Sequence, residues 1–449
     1  MNEAKGDRLF WIWLSRRLGA GCKLYPALLD RFGTPYDIFN ADDEEIAATV
    51  PELDAKTREI LCDKNLDEAY EILGYCRRNG ISLLCYDDPR YPLSYRSLKD
   101  PPLLLYCRGT LPDFQRRLHM AVVGTRRMSE YGRRTSYKIA YELAHAGVVI
   151  VSGMALGVDS VAACAAVEAG GMTIAILGSG IDVPYPSEHA GFQKILEERG
   201  AVMTEYAPGV RPLGHHFPMR NRLISGLAQG TLVLDAAVGR GALITADLAL
   251  DQGRDLFTVP ANVGDLNASG TNRLIRDGAR VALCADDILS QYTKLYRPTL
   301  RYTTSASLGR KSDYNGDVLA RMGVYSRTED GYERVPAQSL GERKQEQPPK
   351  EKAPTKPRRK TQSKVRADKA SSPAPAPAEP LKADRSAEKL ASLGEREKKV
   401  FEAIPMDHPV ALDRLQSLGF STGELLTALS LLEIKGLIGT LPGGLYCRV

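Results

Sequence analysis

The stretch FPMRNRLISGLAQGTLVLDAA, residues 217–237, sets Arg220, Asn221 and Arg222 at the head of a mostly apolar segment. Two guanidiniums and an amide at a helix start can hold an anion, because that end of a helix carries unsatisfied N–H groups and partial positive charge. Comparable donors follow other apolar runs. Gly124, Thr125, Arg126 and Arg127 follow AVV, Ser152 and Gly153 follow VVIV, and Gly178 opens GSGIDVPYP after IAIL. Glycines at such points let backbone amides come close to a ligand. Together these residues describe an anion-binding edge, most simply for phosphates. Singly, each arginine would serve as well in a surface ion pair, and each glycine in a tight turn.

Residues for catalysis are sparse. Of the six histidines only His215 and His216 fall beside this edge, with no acid at a telling spacing. Ser152 and Ser179 lack the G-x-S-x-G surroundings of a nucleophile elbow. Asp159 and Asp182 read as caps or turn formers. GSG does not complete G-x-G-x-x-G, because Pro184 and Pro186 stand where a helix should begin, and no P-loop motif occurs. The eight cysteines are scattered without a C-x-x-C pair, which predicts reduced core thiols in a cytoplasmic protein and no metal site. The expectation is a binding protein without enzyme activity or cofactor.

These residues need a scaffold. Seven apolar runs, MAVVGT, VVIVSG, MTIAIL, AVMTEY, TLVLDA, DLFTVP and RVALCA, alternate with helical stretches. Strands apolar at nearly every position are buried on both faces, the mark of a parallel sheet. Repeated strand–helix units predict a doubly wound, mostly parallel α/β sheet, whose ligands sit at the carboxyl ends of the strands. Residues 1–78 read as a helical module, with LGAGCKLYPALLDRFG as turn, helix and glycine stop. Residues 79–298 carry the sheet.

Of the 449 residues, 43% are hydrophobic and 26% charged, and the net charge is +5. Residues 341–370 hold eleven lysines and arginines against four carboxylates, a net +7 that leaves the rest of the chain at −2. This basic stretch, with the Pro-Ala run after it, lacks large apolar residues, so 299–392 is expected to be a disordered linker. Residues 393–449 read as three helices and a hairpin turning at Pro442-Gly443-Gly444, the order of a winged helix. Glu424 and Glu433 against Lys435 make its third helix too acidic for a DNA groove. The N-terminus shows no signal-peptide pattern, and no apolar run approaches a membrane span.

YPLSYRSLKDPPLLLYCRG, VVGTRR, VSGMALGVDSVA, ILGSGIDVPYP, FPMRNR and GTNRLIRDGA together resemble the DNA-processing protein A family (DprA, also called Smf) over nearly the whole chain. The resemblance implies a Rossmann-like domain that binds single-stranded DNA, protects incoming DNA during natural transformation and helps load RecA recombinase. It implies a homodimer without established catalysis. Arg220, Asn221 and Arg222 would then touch phosphates beside Arg126 and Arg127, with Gly124, Ser152, Gly153 and Gly178 lining the path and Phe217 as a base platform or core anchor. The chain departs from the family pattern at Leu156, Ala163 and Ala261, and in YPSEHAGFQK, where Lys194 could replace a DNA-contacting lysine. The dimer contact is expected at Leu274, Ile275 and Val281, although Leu274 and Ile275 would equally pack a helix on the sheet. The rival reading is a Rossmann-like nucleotide-binding enzyme or sensor related to nucleoside-phosphate hydrolases. The PGG of that group's motif occurs here only in the expected wing.

Overall fold

The computed structural model describes residues 3–296, 299–300, 325–328, 331–334 and 393–448, apart from 240, 406–408, 417, 436 and 442–444. Six helices come first: α1 (Glu3–Leu18), α2 (Tyr25–Phe32), α3 (Pro35–Asn40), α4 (Asp43–Thr49), α5 (Ala55–Cys62) and α6 (Asp67–Arg78). Thr34, Asp42 and Asp54 cap α3, α4 and α5 by accepting from the amides of Asp37, Glu45 and Thr57. Each such cap is worth about 1 kcal/mol. Trp11, Ile12, Trp13 and Leu14 of α1 are all buried, Trp13 edge-on to Phe39, so α1 is the axis of this unit.

The sheet has nine strands: β1 (Ser82–Cys85), β2 (Leu104–Gly109), β3 (His119–Gly124), β4 (Val149–Ser152), β5 (Thr173–Ile176), β6 (Ala201–Thr204), β7 (Gly230–Leu234), β8 (Asp255–Thr258) and β9 (Arg280–Val281). Their order is β1-β2-β6-β5-β4-β3-β7-β8-β9. The seven strands from β6 to β9 run parallel, and all but the exposed two-residue β9 come from the unbroken apolar runs that mark such a sheet. β1 and β2 pair antiparallel and extend the sheet beyond β6, an addition that the alternation of strands and helices did not signal. The intervening helices are α7 (Leu93–Arg96), α8 (Glu130–His145), α9 (Val158–Glu168), α10 (Ala190–Arg199), α11 (His216–Leu227), α12 (Gly241–Asp251), α13 (Ala268–Arg276) and α14 (Ala285–Tyr292). Connections diverge on either side of β3, so a crevice opens at the carboxyl ends of β3 and β7.

The end of the sheet differs from expectation. β9 is only two residues long, and α14 begins at Ala285. Leu274 is buried in a core cluster with Leu256, because α13 turns that side chain onto the sheet, so it is not offered at a surface. Ile275 is half-buried and Val281 is exposed.

Within 299–392, expected to be a disordered linker, lies instead a paired hairpin of β10 (Tyr325–Thr328) and β11 (Gly331–Arg334). The basic and Pro-Ala stretches fall outside the described residues. The tail folds as α15 (Glu395–Ala403), β12 (Val410–Ala411), α16 (Leu412–Gln416), α17 (Thr422–Ile434), β13 (Ile438–Leu441) and β14 (Leu445–Arg448). Its three strands run in the order β12-β14-β13, which gives a winged helix. Ser421 and Glu424 form the capping box that starts α17. The expected turn at Pro442-Gly443-Gly444 lies outside the described residues, between the paired β13 and β14.

Candidate nucleic-acid interface

A cleft of about 1230 Å³ opens at the crevice beyond β3 and β7. Its lining includes Gly124, Arg126, Arg127, Phe217, Arg220 and Asn221. The loop after β3 lifts Arg126 and Arg127 into solvent, where both side chains are exposed. Across the cleft, the first turn of α11 presents Phe217. The Arg126 guanidinium lies 5.8 Å from the centre of that ring, within cation–π range.

Phe217 packs against Tyr185, ring centres 4.9 Å apart and tilted 39°. Tyr185 is 40% exposed and also lines the cleft. Sequence reading missed Tyr185. Its signal was an aromatic residue in the proline-rich loop after β5, the same prolines that spoil a dinucleotide fingerprint. The pair makes an aromatic surface beside two solvent-facing cations, the combination that stacks bases while tracking a phosphate backbone.

The paired arginines of α11 do not share this surface. Successive helical residues are about 100° apart, so positions i and i+2 point to opposite sides. Arg220 turns inward, 5% exposed. It donates to the carbonyls of Gly153, at 2.9 Å, and Ile176. Burial pushes its guanidinium down to about 10, opposed by the nearby Asp159 carboxylate. At neutral pH it stays charged, a cation in the cleft wall that ties the ends of β4 and β5 together. Gly153 is required by this approach, since a Cβ there would lie 2.6 Å from the guanidinium.

Arg222 was expected on the rim and is not there. It is 3% exposed, 2.5 Å from Glu205 and 3.2 Å from Asp100. The cause is the i, i+2 spacing, which turns Arg222 away from any surface that Arg220 faces.

The remaining expected residues separate similarly. Asn221 lines the cleft, and its side-chain oxygen accepts from Arg220 at 3.3 Å. Gly178 lies under the Phe217 ring. Ser152 is buried and donates to the Val122 carbonyl at 2.8 Å, tying β4 to β3 rather than facing a ligand. Lys194 is exposed on α10 but is not among the cleft-lining residues.

Two of the cleft's three aspartates, Asp159 and Asp235, are occupied, while Asp265 is exposed. Asp159 accepts from the amides of Gly153 and Ala155, and burial raises its pKa despite Arg220. Asp235 accepts from the Ser129 amide and hydroxyl and from Asn267, so it holds the residue that caps α8. His216 is held by the Gly178 carbonyl at 3.2 Å and stacks on Tyr206, and burial lowers its pKa. Among the described residues no cluster of histidine, cysteine and carboxylate side chains is arranged to hold a metal ion. No helix there is long and apolar enough to cross a membrane.

The arrangement matches a known family. Residues 82–293 match the family model for DNA recombination-mediator protein A, and residues 372–444 match that for the DprA winged helix domain. The chain is 38% identical to DNA processing protein DprA of Streptococcus pneumoniae over 51% of its own length and 79% of that protein's. With DNA processing protein DprA of Bacillus subtilis it shares 33% identity over 56% of this chain and 86% of the other. A structure describing the single-stranded DNA binding mode of DNA processing protein A from Helicobacter pylori aligns with 31% identity and a TM-score of 0.44, over 48% of this chain and 96% of that one. On the identity and coverage of these relatives, and on both family models, the chain belongs to the DNA-processing protein A (DprA/Smf) family.

Proposed function

We propose that the chain binds single-stranded DNA in the cleft at the ends of β3 and β7, protects incoming DNA in natural transformation and helps load RecA recombinase. Family membership supports the setting. One observation carries the binding mode: Arg126 and Arg127 stand in solvent beside the Phe217–Tyr185 pair. A single strand has free bases to stack there and a flexible backbone to follow the cations, whereas a duplex offers neither. Gly124 and Asn221 line the path, and Arg220 supplies buried positive charge without spending its donors on phosphate. The protein acts in the cytoplasm as a homodimer, with Ile275 and Val281 near the end of the sheet at the contact. Its role is binding rather than catalysis, a reading that the commitment of Asp159 and Asp235 to backbone amides supports.

The test is fluorescence anisotropy with a labelled oligothymidylate and with a blunt duplex of matched length. Tighter binding of the single strand is expected. Equal or tighter binding of the duplex rejects the reading.

A further inference from the structure

The helical unit α1–α6 touches the cleft's supports at two separate places. The first is the loop between α1 and α2. The Gly21 amide donates to the Glu205 carboxylate at 3.2 Å, and the other Glu205 oxygen takes the Arg222 guanidinium at 2.5 Å. Asp100 adds a second carboxylate 3.2 Å from Arg222. Gly21 adopts φ +71, and a Cβ there would lie 2.5 Å from the Met219 sulfur of α11. The loop thus lies against the end of the Met219 side chain, and its left-handed backbone at residue 21 calls for glycine. The second place is α6, whose Tyr75 lies beside Asp182, a carboxylate that raises the pKa of the phenol. Asp182 also accepts from the Gly209 amide at 2.8 Å, which joins the loops after β5 and β6. Asp182 precedes Tyr185 by three residues, and Met219 follows Phe217 by two. One contact therefore backs each member of the aromatic pair.

We propose that Arg222 is a positioning residue: through Glu205 and the Gly21 amide it locks α11 to the N-terminal helical unit, which sets the Phe217–Tyr185 surface for a single strand. The idea rests on the DNA-binding reading of the cleft. A fully buried Arg–Glu pair is a poor source of net stability, since desolvation offsets most of its attraction. Its strength lies in direction, because a guanidinium held between two carboxylates admits few orientations. Arg222 fixes how α11 rotates about its axis, and Phe217 is carried on the first turn of that helix.

Both tryptophans of the chain, Trp11 and Trp13, lie in α1. Tryptophan fluorescence thus reports the helical unit alone, while far-UV circular dichroism reports the whole fold. Full-length wild type, Gly21→Ala, Glu205→Gln and Gly21→Ala/Met219→Ala are compared by urea unfolding with both probes. Anisotropy with labelled oligothymidylate is measured at several salt concentrations. In Gly21→Ala the fluorescence transition should precede the dichroism transition. Affinity should fall roughly tenfold, the effect of about 1.4 kcal/mol. The slope of log affinity against log salt should stay at the wild-type value, because no phosphate contact is removed. Removing the Met219 sulfur in the double variant relieves the contact but not the strain of φ +71, so it should restore only part of the affinity. Glu205→Gln should behave as Gly21→Ala, and if it does not fold, the Gly21 variants decide alone.

Coincident transitions at wild-type affinity, or decoupled transitions at wild-type affinity, overturn the proposal. So does a salt slope that flattens by about 0.7, which marks a lost phosphate contact. Wild-type protein that fails to bind the oligonucleotide removes the positioning role together with the reading beneath it, while the two unfolding probes still decide the docking.

Discussion

Arg220 and Arg222 stand two residues apart on α11 and bind opposite walls: Arg220 the carbonyl ends of β4 and β5, Arg222 the carboxylates of Glu205 and Asp100. Neither guanidinium is free to embrace a phosphate as a surface arginine would. Direct charge contact passes to Arg126 and Arg127, which are exposed on the facing loop.

Arg126→Ala and Arg127→Ala should therefore each weaken single-strand binding and flatten the salt dependence by about 0.7 in log–log slope. Anisotropy titrations across a salt series check this. Arg222→Ala should leave the slope unchanged even where affinity falls, and a flattened slope there would restore Arg222 to the rim.

The aromatic pair should respond differently. Loss of a stacking side chain costs about 1–3 kcal/mol per base. Tyr185→Ala should weaken oligothymidylate binding by that amount with the salt slope intact. Phe217→Ala should cost at least as much, since Phe217 also seats Tyr185 and receives Arg126. Duplex binding should change little in either variant.

His119 supplies a pH dependence unrelated to binding. It is fully buried at the start of β3 and stacks on Phe114, ring centres 5.7 Å apart. Burial pushes its pKa from 6.5 down to about 4. The unfolded chain thus takes up the proton first, and this residue's contribution to stability is complete above pH 6.5 and lost as the pH falls toward 4. Urea midpoints at pH 7 and pH 5 measure the loss. His119→Leu should make that difference smaller, and an unchanged difference would show that other groups carry it.

The proposed dimer contact rests on Ile275, Val281 and Leu283, the last 70% exposed beside the two-residue β9. Val281→Glu should dissociate a dimer without unfolding the subunit, because the substitution is harmless on a water-facing strand and is buried twice at a two-fold contact. Sedimentation at micromolar concentration decides it. A wild type that is monomeric throughout ends the proposal.

A fragment ending at residue 300 should keep most single-strand affinity at moderate salt, since every cleft-lining residue precedes it. Loss of binding in a folded fragment would move the site to the basic stretch or the winged helix.

The parallel strands were legible because burial on both faces leaves an unbroken apolar run, as in MAVVG and TIAIL. β1 and β2 were not, because SLLC and LLYCRG are followed by no helix of the repeating unit. The cleft's charged loop was legible in Gly124 to Arg127, where a glycine turn meets exposed cations. The fate of Arg222 was open to inspection, since i, i+2 positions of any helix diverge, but its partners Glu205 and Asp100 come from distant segments that only the tertiary fold brings near. Tyr185 was hidden for the same reason: its neighbour Phe217 is a loop, a helix and a strand away. Leu274 shows the reverse error, in which an amphipathic helix was credited with an outward apolar face that the sheet already covers.

The central strand β3 pairs with β4 on one side and with β7 on the other, Gly124 opposite Leu234. A nascent chain must therefore wait for more than a hundred further residues before β3 is enclosed, and closing so long a loop is slow. Until α11 and β7 leave the ribosome, Arg126 and Arg127 have no opposite wall and β3 has a bare edge. The cleft therefore cannot be completed before the chain has been made through Ala268, the last residue of its lining.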